Sequence, residues 1–190
     1  EQGIRRVQQH IQNFLVVSVA FVLASSLTLG FVFPLQSMLI SGSTLEIGLL
    51  FLPHGVRILA FYFYGWRAIF YLMPSSYLFL ALSNHAGSEL QIMSPIVSMM
   101  ACYLGYSLAT LLPMFASRAF TPDLWKFLII AGATSSFANG IALSALQHQG
   151  AEILSVMGYL IGDISGLIVC FLILMYAFRF ARLLAKGTDA

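Results

Sequence analysis

Charged side chains are scarce in this sequence. Only 8% of its 190 residues are Asp, Glu, Lys or Arg, and 59% are hydrophobic. Soluble domains average about 25% charged residues. A soluble chain of this length would need far more polar surface to stay dispersed. We therefore predict an integral membrane protein, surrounded by a lipid bilayer, with a single domain that covers residues 1–190.

The sequence also lacks the patterns that mark catalytic and metal sites. Its two cysteines, Cys102 and Cys170, lie inside apolar runs, which favours buried thiols over a disulfide or a Cys/His metal site. The histidines outside the apolar runs, His10, His85 and His148, have no metal-ligand spacing. No Walker loop, HExxH motif, nucleophile elbow or paired carboxylates occur, and no basic cluster indicates nucleic acid. We expect no enzyme, no metal site and no nucleic-acid partner, and the sequence identifies no cofactor.

Six apolar segments can be read as membrane-spanning helices, since about 20 helical residues cross the hydrocarbon core. Their predicted bounds are residues 13–40, 45–64, 68–82, 92–115, 124–146 and 153–184. The links between them are short and leave no room for a soluble domain. The predicted fold is an all-α, polytopic bundle of six transmembrane helices.

The basic residues predict the orientation of this bundle. With the N-terminus in the cytoplasm, eight of the nine Lys and Arg residues fall on the cytoplasmic side, as the positive-inside rule requires. These eight are Arg5, Arg6, Arg67, Arg118, Lys126, Arg179, Arg182 and Lys186. We predict a protein of the bacterial inner membrane with both termini in the cytoplasm.

The remaining basic residue, Arg57, falls inside the second predicted span, where a guanidinium costs roughly 3 kcal/mol or more. Asp163 is the only acidic residue deep in any predicted span. Counted from the outer ends of their helices, His54, Arg57 and Asp163 lie at similar depth, ~14 to 18 Å at 1.5 Å per residue. The sequence therefore predicts a direct pair of Arg57 with Asp163, joined by His54, with Asn139 at a neighbouring depth.

Two interpretations of this group stay open. The pair can serve only to fix how the second span meets the sixth, because buried pairs often specify an arrangement without doing chemistry. It can also form a polar pocket for a small ligand. An excess positive charge at Arg57 favours an anionic ligand, and full neutralisation by Asp163 weakens that preference.

Small residues recur at four-residue spacing in two predicted helices, which lets helices approach closely. One stripe is Gly158, Gly162 and Gly166, and the other is Gly132, Ser136 and Gly140. We expect these two stripes to pack on each other, with a surface for a partner protein as the alternative. The first span carries a further small-residue pair, Ala20 and Ala24.

The run Leu52-Pro53-His54-Gly55-Val56-Arg57, followed by Gly65-Trp66-Arg67, resembles the proline-glycine helix of MASE1-type bacterial membrane sensory domains. The run from Gly162 to Gly166 resembles an acidic, glycine-containing late helix of the same family. The resemblance implies a membrane region that senses small ligands and is joined to signalling output domains. This chain has six predicted spans rather than about eight and no output domain, so a sensory role requires a partner chain.

In architecture the chain is also similar to the substrate-binding components of energy-coupling-factor vitamin transporters. These are six-helix proteins with a small-residue motif on the first helix, to which Ala20 and Ala24 correspond. The function expected first is a small-molecule-binding or sensory module that acts through a partner protein. The alternatives are a transporter component and a non-catalytic accessory subunit of a larger membrane complex.

Overall fold

A computed structural model describes residues 2–39, 48–82, 89–112, 124–148 and 153–187. Within these ranges the chain is almost entirely helical and contains no strand. The α-helices are α1 (Gln2–Leu27), α2 (Phe33–Leu39), α3 (Leu52–Tyr64), α4 (Ala68–Leu82), α5 (Glu89–Thr110), α6 (Leu124–His148) and α7 (Ile153–Gly187).

Two short irregular turns connect helices into longer units. A π-helical turn, Thr28–Val32, joins α1 to α2 just before Pro34. Because proline has no N–H and clashes with the carbonyl four residues before it, a wider turn at this point relieves the conflict. A 3₁₀ turn, Gly65–Arg67, joins α3 to α4, and Gly65 adopts a positive φ of 58°.

Among the described residues, four helical stretches are long and apolar enough to span a membrane: Gly3–Leu39, Ile92–Thr110, Leu124–Leu146 and Val156–Leu184. These correspond to the first, fourth, fifth and sixth predicted spans. The second and third predicted spans correspond to α3 and α4, of 13 and 15 residues. At about 1.5 Å per residue each of these helices falls short of a full crossing.

The largest difference from the prediction is the start of α3. The expected helix over residues 45–64 begins at Leu52 instead, and residues 48–51 are not helical. Residues 40–47, directly before Gly48, lie outside the described ranges. Other ends also differ from the prediction: α1 begins at Gln2, α5 covers Glu89–Thr110, α6 ends at His148 and α7 continues to Gly187.

From α3 onward, helices that follow one another in the chain alternate in direction. In the α6–α7 pair, Gly132 lies against Leu167 and Gly140 lies against Val156, so the two helices are antiparallel. In contrast, α3 and α7 are parallel, because Gly55 lies against Cys170 while the preceding backbone lies at Gly162.

The start of α1 and the end of α3 lie at the same end of the bundle. Asn13 and Tyr64 line one cavity there, whereas Phe21 lies beside Arg57, nearer the start of α3. Since α3 and α7 are parallel, the last turns of α7 point toward that same end.

The core draws side chains from α1, α3, α4, α5, α6 and α7. Its fully buried side chains include Phe21, Ile58, Phe61, Leu72 and Met99. By contrast, large apolar side chains along the outer faces of α1 and α7 are exposed. A bilayer would cover such faces without a further protein layer.

Candidate functional site

The backbone before α3 is not helical, bends at Leu49 and lies against α7. The Phe51 N–H donates to the Gly162 carbonyl oxygen at 2.8 Å. A Cβ added to Gly162 would overlap the carbonyl oxygen of Gly48, and one added to Gly166 would overlap that of Phe51. The glycines of α7 therefore leave the space that this segment occupies.

Two side chains also bond this segment through Leu49. The Leu49 N–H donates to Oε1 of Gln36 at 2.8 Å, and the Ser165 hydroxyl donates to the Leu49 carbonyl oxygen. Non-helical backbone at membrane depth must find its hydrogen-bond partners inside the protein. These contacts provide such partners for the break before α3.

The first turn of α3 lies in the interior of the bundle. Pro53 is at the start of the helix, where its missing N–H costs nothing because the first N–H groups of a helix have no intrahelical partner. Residues 52–55 are all buried. The first turn of α3 thus brings His54 against α6 and α7.

The two ring nitrogens of His54 have different neighbours. Nε2 lies 3.1 Å from the Gly132 carbonyl oxygen, and because a carbonyl can only accept, Nε2 donates and carries the hydrogen. Nδ1 lies 3.4 Å from Oδ2 of Asp163 and makes no hydrogen bond. In a neutral imidazole of this tautomer, Nδ1 is an acceptor that faces a second acceptor. The contact becomes favourable when the pair holds one further proton, on the ring or on the carboxyl group.

Asp163 has a second partner in α6. The Ser136 hydroxyl donates to Oδ2 of Asp163 at 2.8 Å, and only 2% of Asp163 is exposed. Asp163 therefore links α7 to both α3 and α6.

Arg57 is buried on another side of α3. Only 6% of the residue is exposed, and its Nη1 donates to the Ser98 hydroxyl oxygen of α5 at 3.0 Å. The guanidinium carbon lies 5.4 Å from the ring centre of Phe21 and 5.8 Å from that of Phe51, distances typical of cation–π contacts. The Nε of Arg57 has no hydrogen-bond partner.

The predicted direct pair of Arg57 with Asp163 is not formed. Among the described residues, no carboxylate oxygen lies within 4.0 Å of the Arg57 guanidinium, and the ion-pair partner of Asp163 is His54. The two side chains are about 60° apart around the axis of α3, and their observed partners lie in different helices. His54 therefore faces α6 and α7, while Arg57 faces α1 and α5.

Asn139, the fourth predicted site residue, is buried one turn beyond Ser136 on α6. Its Oδ1 has no hydrogen-bond partner, and the same holds for the Ser76 hydroxyl of α4. The structure does not bond Asn139 to His54, Arg57 or Asp163, all of which it describes. Asn139 adds an unsatisfied acceptor near this level of the bundle rather than a member of the same network.

The two predicted small-residue stripes do not pack on each other. Gly132, Ser136 and Gly140 face α7, where they meet Leu167, Asp163 and Val156. Gly162 and Gly166 face the non-helical segment 48–51 instead, and Gly158 is half-buried. The backbone of segment 48–51 lies closer to α7 than another helix would. It therefore packs on the side of α7 that carries Gly162 and Gly166.

The small-residue pair of α1 does not form an open face. Ala24 is 8% exposed and Ala20 is half-buried. The buried neighbours Ser25 and Thr28 donate to backbone carbonyl oxygens of the same helix. This part of α1 is turned toward the other helices.

Ser98 is the site residue that the sequence reasoning missed. A single serine in an apolar helix is common, so its spacing gave no signal. The proline at position 53 did give a signal for the start of α3, since proline is favoured in the first helical turn.

We call His54, Arg57, Ser98, Ser136 and Asp163 the polar centre. It combines a permanent cation, a carboxylate and a titratable imidazole in a buried site at the amino end of a helix, which itself carries partial positive charge. Such a site can donate hydrogen bonds to an anionic group at Arg57. No family model, curated protein or solved structure matches this chain.

Proposed function

We propose that this chain is a multi-pass protein of the bacterial inner membrane, with both termini in the cytoplasm, that binds a small anionic molecule at the polar centre. We further propose that it passes the binding event to a partner protein as a sensory module. The resemblance of the Pro53 and Asp163 regions to MASE1-type sensory domains supports the same role.

One observation carries this proposal: within the part of the chain that the structure describes, the buried Arg57 has no carboxylate within hydrogen-bond reach. Its Nη1 donates to a neutral hydroxyl, and its Nε donates to no group. An intramembrane guanidinium is costly and usually marks a functional site with a partner. Because Asp163 is directed to His54 and Ser136, the anionic partner of Arg57 remains to be supplied by a ligand.

The position of α3 supports a signalling role. Its first turn belongs to the polar centre, and its last turn reaches the 3₁₀ turn at Gly65–Arg67. A ligand that moves Arg57 or His54 would shift this helix as a unit. The shift would then reach the end of the bundle that carries the basic residues, where a cytoplasmic partner can bind.

Native mass spectrometry of the protein released gently from its own membrane tests the proposal. We expect wild-type protein to carry a bound small anion, whose mass identifies it, and the Arg57→Gln variant to lack it. Arg179→Gln, which removes an exposed cation of α7, is the matched control and should keep the molecule. Thermal unfolding of each variant shows whether it is folded.

Two outcomes contradict the proposal. One is wild-type protein that carries no small molecule, and the other is a molecule that binds folded Arg57→Gln as well as wild type. A defined complex with other membrane subunits and no ligand would favour an accessory subunit, with the polar centre as a purely structural link.

The non-helical segment 48–51 before α3 favours a second candidate, a transporter component. Many transporters bind substrates near the bilayer midplane at the ends of discontinuous helices. Uptake of the bound molecule into vesicles, dependent on an ATPase partner, would support this candidate. Because Ala24 is buried, the Ala20/Ala24 face is a poor contact for that partner.

A further inference from the structure

A second polar site lies at the far end of α3, away from the polar centre. It is a cavity of about 420 Å³ between the start of α1 and the turn that joins α3 to α4. The residues that line it are Arg6, Gln9, His10, Asn13, Phe63, Tyr64, Arg67 and Tyr71.

One face of α1 supplies half of this lining. Arg6, His10 and Asn13 recur every three to four residues, so their side chains lie on the same side of the helix. The apolar part of α1 begins directly afterwards, at Phe14. The cavity therefore lies at the level where α1 passes from polar surroundings into the hydrocarbon core.

Exposed aromatic side chains mark the same level on the other wall. Trp66 is 56% exposed in the 3₁₀ turn, and its ring packs edge-on against the exposed Phe70 of α4. Tryptophan is enriched at the membrane–water interface, where lipid headgroups lie. The cavity thus opens at the depth of those headgroups.

The charge of the cavity is positive. Arg6 comes from α1 and Arg67 from the 3₁₀ turn, and no acidic side chain lines the cavity. Among the described residues, neither arginine forms an ion pair with a carboxylate. Two guanidinium groups on different elements can therefore converge on one anion.

The floor of the cavity is held in place by Tyr71. Its hydroxyl group hydrogen-bonds to Nδ1 of His10 at 2.7 Å, and its carbonyl oxygen accepts a bond from Ser18 at 3.0 Å. The ring of Tyr64 packs edge-on against it, with 5.5 Å between the ring centres. These contacts join α1, α3 and α4 next to the exposed Arg6 and Arg67.

We propose that this cavity binds the phosphate group of an anionic ligand, either a phospholipid headgroup or a free phosphate ester. The planar guanidinium fork matches two oxygens of a phosphate, and Arg6 and Arg67 offer two such forks. Gln9 and Asn13 add neutral amide donors. The volume lies within the range of small-ligand pockets, about 300 to 1,000 Å³.

Native mass spectrometry with added lipid tests this site in the detergent-purified protein. The probes are dioleoylphosphatidylglycerol and dioleoylglycerol, which share their acyl chains but differ in the phosphate. The variant is Arg6→Gln/Arg67→Gln. The matched control, Arg5→Gln/Arg179→Gln, removes two exposed cations that do not line the cavity.

We expect wild-type protein to prefer phosphatidylglycerol, and the cavity variant to bind it at least about ten-fold more weakly, as the loss of charge-assisted hydrogen bonds predicts. The control should stay within about two-fold of wild type. All four arginines are exposed, so both variants should unfold at the wild-type temperature.

A calorimetric titration with glycerol 3-phosphate distinguishes the two sources of phosphate. Binding of phosphatidylglycerol without binding of glycerol 3-phosphate assigns the cavity to a lipid headgroup. Binding of glycerol 3-phosphate that the cavity variant loses assigns it to a free phosphate ester. Equal losses in the cavity variant and the control, or equal binding of dioleoylglycerol and phosphatidylglycerol with no binding of glycerol 3-phosphate, would overturn the proposal.

Discussion

Asp163 contacts partners in two other helices through one carboxylate oxygen. Ser136 donates to Oδ2, and Nδ1 of His54 faces the same atom. An asparagine whose amide nitrogen takes the place of Oδ2 can keep both contacts, because its two N–H groups can donate to Nδ1 of His54 and to the Ser136 hydroxyl oxygen. The Ser136 hydroxyl then keeps the Tyr159 carbonyl oxygen, 3.3 Å away, as its acceptor. An alanine removes both contacts.

We therefore expect Asp163→Ala to destabilise the protein by about 3 to 5 kcal/mol, the usual cost of breaking a buried charged pair. Asp163→Asn should cost clearly less. Denaturant unfolding in detergent micelles measures both free energies. If the two variants lose the same stability, the contacts at Oδ2 are not what Asp163 contributes.

Some of these residues were visible in the sequence and some were not. Arg57 and Asp163 stand out because charges are rare in apolar segments. Their partners do not stand out in the sequence, because the neighbouring helix that each side chain faces depends on how the helices are placed in the bundle. In this bundle His54, and not Arg57, faces Asp163.

At the scale of elements, the contact between α7 and the backbone before α3 depends on glycines, which have no side chain. A methyl group on Gly166 would meet the carbonyl oxygen and carbon of Phe51 and the backbone nitrogen of Leu52. These are backbone atoms, so no side-chain rotation can relieve the overlap. Either α7 or the segment 48–51 must move.

We expect Gly166→Ala to destabilise the protein by about 1 to 3 kcal/mol, as overpacking does in cores. Gly30→Ala is the control, because nothing lies within 4 Å of a Cβ at that position. Thermal unfolding in detergent compares the two variants. A Gly166→Ala protein as stable as Gly30→Ala would mean that the segment does not pack on α7.

The helices differ in how far the sequence predicted them. The predicted bounds of α4 agree with the structure, and α6 and α7 begin where expected. The start of α3 was predicted too early, because hydropathy alone does not distinguish apolar helix from apolar non-helical chain. The residues that decide this, Gly162 and Gly166, lie in a different helix.

For the whole molecule, the orientation in the membrane stays a prediction that thiol labelling can test. The native Cys102 and Cys170 are buried, so their background reaction with a membrane-impermeant reagent should be small. We expect Arg5→Cys and Arg182→Cys to react only after the cells are permeabilised. Glu46→Cys and Glu152→Cys, at the predicted outer ends of the second and sixth spans, should react in spheroplasts whose membranes are intact.

A reaction of Arg5→Cys in intact spheroplasts would contradict the predicted orientation. Opposite results for Arg5→Cys and Arg182→Cys would mean an odd number of crossings. The structure describes alternating helix directions, with both of these positions toward one end of the bundle. The six full spans expected from the sequence stay a prediction. Within the described residues, α3 and α4 are each shorter than a full crossing.

The bond from Phe51 to Gly162 has a consequence for how the protein is made. Phe51 leaves the ribosome long before Gly162, because α7 follows all the other described helices in the chain. Until α7 is synthesised, the segment 48–51 lacks the backbone partner that a non-helical stretch needs inside a bilayer. We therefore expect the insertion of α3 to be completed only after α7 has been translated, and a nascent chain truncated before α7 to be degraded by membrane quality-control proteases.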